Sequence, residues 1–150
     1  MILLISLILV CDRLSKIAAE RALSLYQSAP LIKGVLHFTL VHNTGAAFGL
    51  LKNQLVLLIA TSMSAVVLMF LSLHRVRSAP AVYRIALSLI FSGALGNLID
   101  RIFLGYVIDF IDLRVWPVFN IADSAITIGA VLLALSMFRK NAAQSKTAAS

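Results

Sequence analysis

The sequence predicts a mainly α-helical membrane protein, with four spanning helices and a small β-sheet at one membrane face. Composition is the first ground: of 150 residues, 61% are hydrophobic and 13% are charged, against ~25% charged in a soluble chain. Mean hydropathy is +0.99. So apolar a chain of this length reads as one domain, 1–150, and its composition excludes a soluble enzyme and a disordered chain. Segmentation is the second ground, because long uncharged runs alternate with short charged stretches. The third is a change of pattern at 34–51, where the chain stays uncharged but reads as strand rather than helix.

The first helix, at about 2–21, opens with MILLISLILVC and runs on through Asp12 and Lys16. It looks like a secretory signal but lacks a positive start and a small-x-small cleavage site, so a retained helix is expected. In the next stretch Gly34, Gly45 and Gly49 interrupt the run, and Val35 to Asn43 loosely alternates β-branched and aromatic residues. That pattern places a β region at about 31–50, lying at the membrane surface. A bilayer core of ~30 Å needs about 20 apolar helical residues. Residues 53–74 carry no formal charge and give a second helix at about 54–74. Uncharged runs at 85–99 and 124–138 give a third at about 84–102 and a fourth at about 121–139. Each of these two reaches spanning length when its acidic residue sits near an interface. A polar tail, 140–150, follows.

Charge orients the bundle. The loop from Arg75 to Val82, the helix boundary at Arg84 and the tail hold Arg75, Arg77, Arg84, Arg139, Lys140 and Lys146, with no carboxylate. The opposite side holds the other basic residues and all the acids. Basic residues in short loops mark the cytoplasmic side. Both termini are therefore expected in the cytoplasm, with 22–53 and 103–120 outside. The net charge of +7 fits loops facing anionic lipid headgroups and gives no ground for a nucleic-acid partner.

Ionisable groups in a bilayer cost at least ~2.5–3.5 kcal/mol each and usually mark a site. In this topology Asp12, Asp100, Asp109 and Asp123 fall near one membrane face. Asn97, Asp100 and Arg101 share one face of the third helix, where Gly93 and Gly96 allow close helix approach. Asn120 and Asp123 stand three apart at the start of the fourth, where Asn120 could equally serve as a cap. Two carboxylates held close share a proton. The ionised member can then deprotonate water while the protonated one hydrogen-bonds a scissile carbonyl, with no metal and no cofactor.

Other chemistries have less support. His37, His42 and His74 are too scattered for a metal motif, Ser92 and Ser124 lack a partner base, and Cys11 reads as buried packing. Trp116 and Tyr106 read as an interfacial aromatic belt in preference to a binding element, and Phe48 as an interface anchor. A proton-coupled transporter would also use intramembrane carboxylates, but these collect at one face instead of marking a route across. A non-catalytic assembly subunit is the other alternative.

Five blocks carry a resemblance: DRLSK at 12–16, NTGAAF at 43–48, GNLIDR at 96–101, VIDF at 107–110 and FNIAD at 119–123. In this order, interleaved with four apolar spans, they resemble the lipoprotein signal peptidases (signal peptidase II). The resemblance implies an aspartic endopeptidase of the bacterial inner membrane, with its active site at the outer face. Its substrates would be diacylglyceryl-modified prolipoproteins, cut just before the lipidated cysteine. It implies Asp109 and Asp123 as the catalytic pair, and Asp100 as a supporting group that orients Arg101 and the loop. Asn97 and Asn120 would hydrogen-bond the carboxylates or the substrate backbone. Asn43 and Arg101 would contact the peptide or a globomycin-like inhibitor, and Asp12 and Lys16 would be structural or touch substrate. It further implies a small extracytoplasmic sheet cradle and a lid loop closing over the site, with Gly45 and Gly49 giving backbone freedom. Membrane lipids are the expected surroundings. A monomer is expected, because four helices can enclose one rim site.

Overall fold

The computed structural model describes residues 1–45, 54–76 and 78–148, without the side chains of 73–75 and of 139–148. Phe48, Gly49 and the lid expected near them lie outside the described residues. The chain runs α1 (Ile2–Ala22), β1 (Ser28–Ile32), β2 (Leu36–Asn43), α2 (Leu55–Arg75), α3 (Ala81–Leu104), β3 (Val107–Asp112) and α4 (Ile121–Ala148).

Among the described residues three helices are long and apolar enough to cross a membrane: α2 over Leu55–Ser72, α3 over Ala81–Leu104 and α4 over Ile121–Phe138. The fourth expected span, α1, has 21 residues but carries Asp12, Arg13 and Lys16 within them. Those charges set it apart from the other three. Its polarity is inverted relative to a soluble amphipathic helix. Asp12, Lys16 and Ala19, on one face by the i, i+4, i+7 rule, are buried. Leu3, Leu7, Val10 and Leu14 on another face are exposed. Cys11 is exposed too, so the expectation of a buried packing cysteine is corrected.

Helix ends follow local chemistry. Pro80 stands at the N-cap of α3, which begins at Ala81, three residues before the expected start. Gly105 ends α3 at φ +83°, donating its N–H to the carbonyl of Arg101. The expected tail after residue 139 is instead a continuation of α4 to Ala148. Residues 140–148 hold no glycine or proline and several strong helix formers, so nothing stops the helix.

α3 and α4 are antiparallel and close. A Cβ on Gly93 would collide with the carbonyl oxygen of Ala122, and one on Gly129 would lie 2.7 Å from that of Ala86. Helices with backbones this near need small residues at the contact. Val66, Phe91 and Leu98 join α2 to α3, with Ile5 of α1 packed alongside.

The sheet is antiparallel in the order β1-β2-β3. Of the expected β region at about 31–50, the described part is a hairpin that begins earlier, at Ser28, and whose second strand ends at Asn43; 46–50 lie outside the described residues. The third strand was not anticipated: 103–120 reads as a connection, yet Val107–Asp112 pairs with β2. Val41 stands opposite Asp109, and Asn43 opposite Val107. With alternation along a strand, Ile108 and Phe110 then point the other way, into a core with Ala19 and Leu40. Chain connectivity puts all three strands at the bundle end where α1 and α3 finish and α2 and α4 begin.

Candidate active site

Strand register delivers the first carboxylate. Asp109 is 1% exposed, on the β3 face that carries Val107 and looks into a cleft. Its Oδ2 accepts a hydrogen bond from Asn43 Nδ2 at 2.9 Å, and its Oδ1 one from Asn120 Nδ2 at 2.7 Å. A helix start delivers the second. Asn120 Oδ1 accepts the N–H of Asp123 at 2.8 Å, while Asp123 Oδ2 accepts the N–H of Asn120 at 3.3 Å. This reciprocal pair is a capping box closing the first turn of α4. Asn120 is therefore a cap and a carboxylate partner together. Asp123 Oδ1 takes a further bond from Asn97 Nδ2 at 2.8 Å.

One asparagine thus bridges the two acids, and three asparagines donate amide N–H groups to them. Burial first, and then the charge of Asp123, push the Asp109 carboxyl up to about 7. Bonds from Asn43 and Asn120 and the charge of Lys16 act the other way. A carboxyl in that range keeps a proton that an exposed aspartate would have lost.

Behind this layer lies a second one. Lys16 is wholly buried, with Nζ 2.7 Å from Asp12 Oδ2, 2.8 Å from Asp100 Oδ2 and 3.1 Å from Asn97 Oδ1. Asp12 Oδ1 accepts the N–H of Ala122 at 2.9 Å, a free donor of the first turn of α4. Asp100 accepts from Arg13 at 3.3 Å and from the N–H of Ile108 at 3.4 Å. Asp100, expected to orient Arg101 and the loop, makes its ion pairs inward to Lys16 and Arg13 and steadies β3 through the N–H of Ile108. Arg101 instead donates to the carbonyl of Gly45 at 3.3 Å and turns to the cleft.

The cleft encloses about 570 Å³, with Asn43, Asn97, Arg101, Asp109 and Asp123 on its polar side. Trp116, Pro117, Val118 and Phe119 form an apolar wall, with Ile126 of α4 opposite. Trp116, expected in an interfacial aromatic belt, lines the cleft and is 57% exposed, whereas Tyr106 stacks on His42 with centroids 3.9 Å apart. The wall is tethered at Asp112, which accepts bonds from Thr39 Oγ1 at 2.7 Å, from the N–H of Arg114 at 2.8 Å and from its guanidinium at 3.0 Å. Sequence reasoning passed over this tether and the cleft wall. The one available signal was the aspartate ending the VIDFID strand. Among the described residues no cluster of three or more His, Cys, Asp and Glu side chains is placed to hold a metal.

The profile of the family described as Signal peptidase (SPase) II matches residues 4–139. The chain belongs to the signal peptidase II family. The lipoprotein signal peptidase of Geobacter metallireducens is 45% identical over 145 residues, covering 92% of this chain and 90% of that one. That of Pseudomonas aeruginosa is 44% identical, covering 89% and 84%. The fold is similar to that of a bacterial membrane enzyme solved by the in meso method. TM-score is 0.83 at 30% identity, over 93% of this chain and 88% of the other. A second such structure gives 0.78 at 31% identity. In this signal peptidase II chain the five blocks converge on one place. DRLSK supplies the buried ions, GNLIDR the floor of the cleft, and VIDF and FNIAD its two acids. NTGAAF supplies Asn43, its residues beyond Gly45 lying outside the described ones.

Proposed function

We propose that Asp109 and Asp123 are the catalytic pair with which this chain removes signal peptides from prolipoproteins. The family relationship gives the reaction; the single observation that carries the assignment is Asn120 bonded to both acids at the cleft. One member, ionised, takes a proton from water as the oxygen attacks the scissile carbonyl carbon. The other, protonated, donates to the carbonyl oxygen. The proton taken from water then passes to the leaving amide nitrogen as the C–N bond breaks. Asn43, Asn97 and Asn120 hold the carboxylates by their N–H groups, and Arg101 faces the substrate chain in the cleft. Asp12, Lys16 and Asp100 support from behind.

The substrate is a diacylglyceryl-modified precursor cut before its lipidated cysteine. A diacyl anchor keeps that bond at the lipid–water boundary, and the cleft stands at the sheet end of the bundle, with charge and an apolar wall together. Four helices span the bilayer. Support for α1 as the fourth is its inverted polarity, apolar side chains outward and ions inward against α3 and α4. The enzyme sits in the bacterial inner membrane with both termini cytoplasmic and the cleft at the outer face, because the loop after α2 and the end of α4 carry basic residues without acids. It works as a monomer among membrane lipids, and a globomycin-like peptide would occupy the same cleft.

The test is cleavage of a lipidated precursor in detergent by wild type, Asp109→Asn and Asp123→Asn. Each variant should fold yet lose roughly 10²-fold or more of its activity, the loss expected of an acid–base group. Folded variants that cleave at the wild-type rate would defeat the assignment.

A further inference from the structure

Lys16 has no exposed surface, and the chemistry just described gives its ammonium no step. Its position does. An asparagine amide can present oxygen on one side and NH₂ on the other, or the reverse, and its surroundings decide. An ammonium only donates. With Lys16 Nζ at 3.1 Å, Asn97 must turn Oδ1 toward it, so its NH₂ faces Asp123 at 2.8 Å. The same Oδ1 accepts from Asn120 Nδ2 at 3.1 Å. The NH₂ of Asn120 is thereby directed to Asp109, and its Oδ1 is left for the N–H of Asp123.

Resting on the reading of Asp109 and Asp123 as the reacting pair, we infer that Lys16 is a positioning residue that sets hydrogen-bond direction through Asn97 and Asn120, so that both catalytic carboxylates meet amide N–H groups. Its three donors match three acceptors, Asn97, Asp12 and Asp100. The two acids in turn hold the N–H groups of Ala122 and Ile108. One buried ammonium therefore registers the start of α4 and β3, the two elements that bear the catalytic acids, against α1. The charged groups around it are Asp12 and Arg13 of α1, Asp100 and Arg101 of α3, Asp109 of β3 and Asp123 of α4. Glu20 of α1 is instead near His42 of β2, at 3.8 Å. The charge of Lys16 also favours the ionised form of Asp109.

A purely structural ion cluster would tie α1 to α3 without directing the amides of Asn97 and Asn120, so a folded variant lacking it would keep kcat near wild type, and the test separates the two roles. Full-length wild type, Lys16→Met and Lys16→Arg are assayed in detergent on a lipidated precursor across pH. Folded Lys16→Met should lose roughly 10-fold to 10²-fold in kcat through misplaced groups, with KM within about twofold. Its alkaline limb should move to higher pH, since a charge favouring ionised Asp109 has gone. Lys16→Arg, also donor-only and cationic, should restore the limb and most of kcat. Where Lys16→Met does not fold, Asp12→Asn/Lys16→Met/Asp100→Asn removes the acids left unpaired and is read by kcat alone, because losing two negative charges with one positive charge would not move the limb upward. An unmoved limb, an arginine variant no better than methionine, or loss of fold in both methionine variants would overturn the inference. Asp109→Asn and Asp123→Asn run alongside. If they still cleave, the catalytic assignment fails; if they are dead while Lys16→Met keeps the wild-type limb, only the role of Lys16 fails.

Discussion

Asp109 is a buried acid whose neighbours include another acid, and its surroundings fix the sign of two pH effects. Its carboxyl, raised from 3.8 to about 7, binds a proton in the folded chain over a window where the unfolded chain has released it. Its contribution to stability is therefore full below about 4 and is lost as pH rises to about 7. Relative to Asp109→Asn, the wild type should lose about 1.4 kcal/mol for each pH unit in that window. Thermal unfolding of both proteins in detergent checks this, and parallel curves would contradict it. Cleavage should follow the same proton and decline as pH rises through about 7, checked by the pH profile of kcat/KM. The candidate acids were legible because ionisable groups are rare in so apolar a chain. The burial of Lys16 was not, since a lysine between Asp12 and Glu20 reads as readily as a surface charge. The place of Trp116 in the cleft was not legible for a like reason: an aromatic near an interface has one composition whether it anchors in lipid or lines a cleft.

At the scale of the element, α3 and α4 set the distance between Asn97 and Asp123, and Gly93 permits it. Gly93→Ala should lower stability by about 1–3 kcal/mol, the cost of overpacking, because its Cβ would meet the backbone oxygen of Ala122. Gly34→Ala is the contrast. That glycine stands at φ +79° in the β1–β2 turn with nothing within 4 Å. It should cost about 1–2 kcal/mol of backbone strain and leave precursor cleavage unchanged. Denaturation and cleavage measured together on both variants check the pair. The apolar runs made four helices easy to place, and Gly93 and Gly96 announced close packing. β3 escaped because VIDFID is a short run whose acids break simple alternation. Only its pairing with β2 reveals that Asp109 faces the cleft while Ile108 and Phe110 fill the core.

Across the described residues, apolar side chains face outward on every helix while the buried aspartates, asparagines and Lys16 gather at the sheet end. A bilayer makes sense of that inversion, since lipid is the solvent for the outer faces and the ions need only protein or water. Orientation is tested in a Cys11→Ser background. Lys33→Cys should react with a membrane-impermeant thiol reagent in intact cells, and Ser78→Cys only after permeabilisation; the reverse pattern would invert the topology. Composition and segmentation made the membrane class legible, and the order of the five blocks made the family so. Neither could reveal that the blocks meet through three asparagines and a buried lysine, because those contacts join residues as distant in sequence as Lys16 and Asn97, 81 positions apart.

The shared proton is the centre of the account, and isotope-edited infrared titration of the aspartate carboxyls in the full-length protein reads it directly, with the Asp109 band assigned by its loss in Asp109→Asn. A protonated carboxyl band at Asp109 that persists well above the ordinary aspartate range and disappears near pH 7 is the predicted result. A band that vanishes near the ordinary value of 3.8 would contradict it.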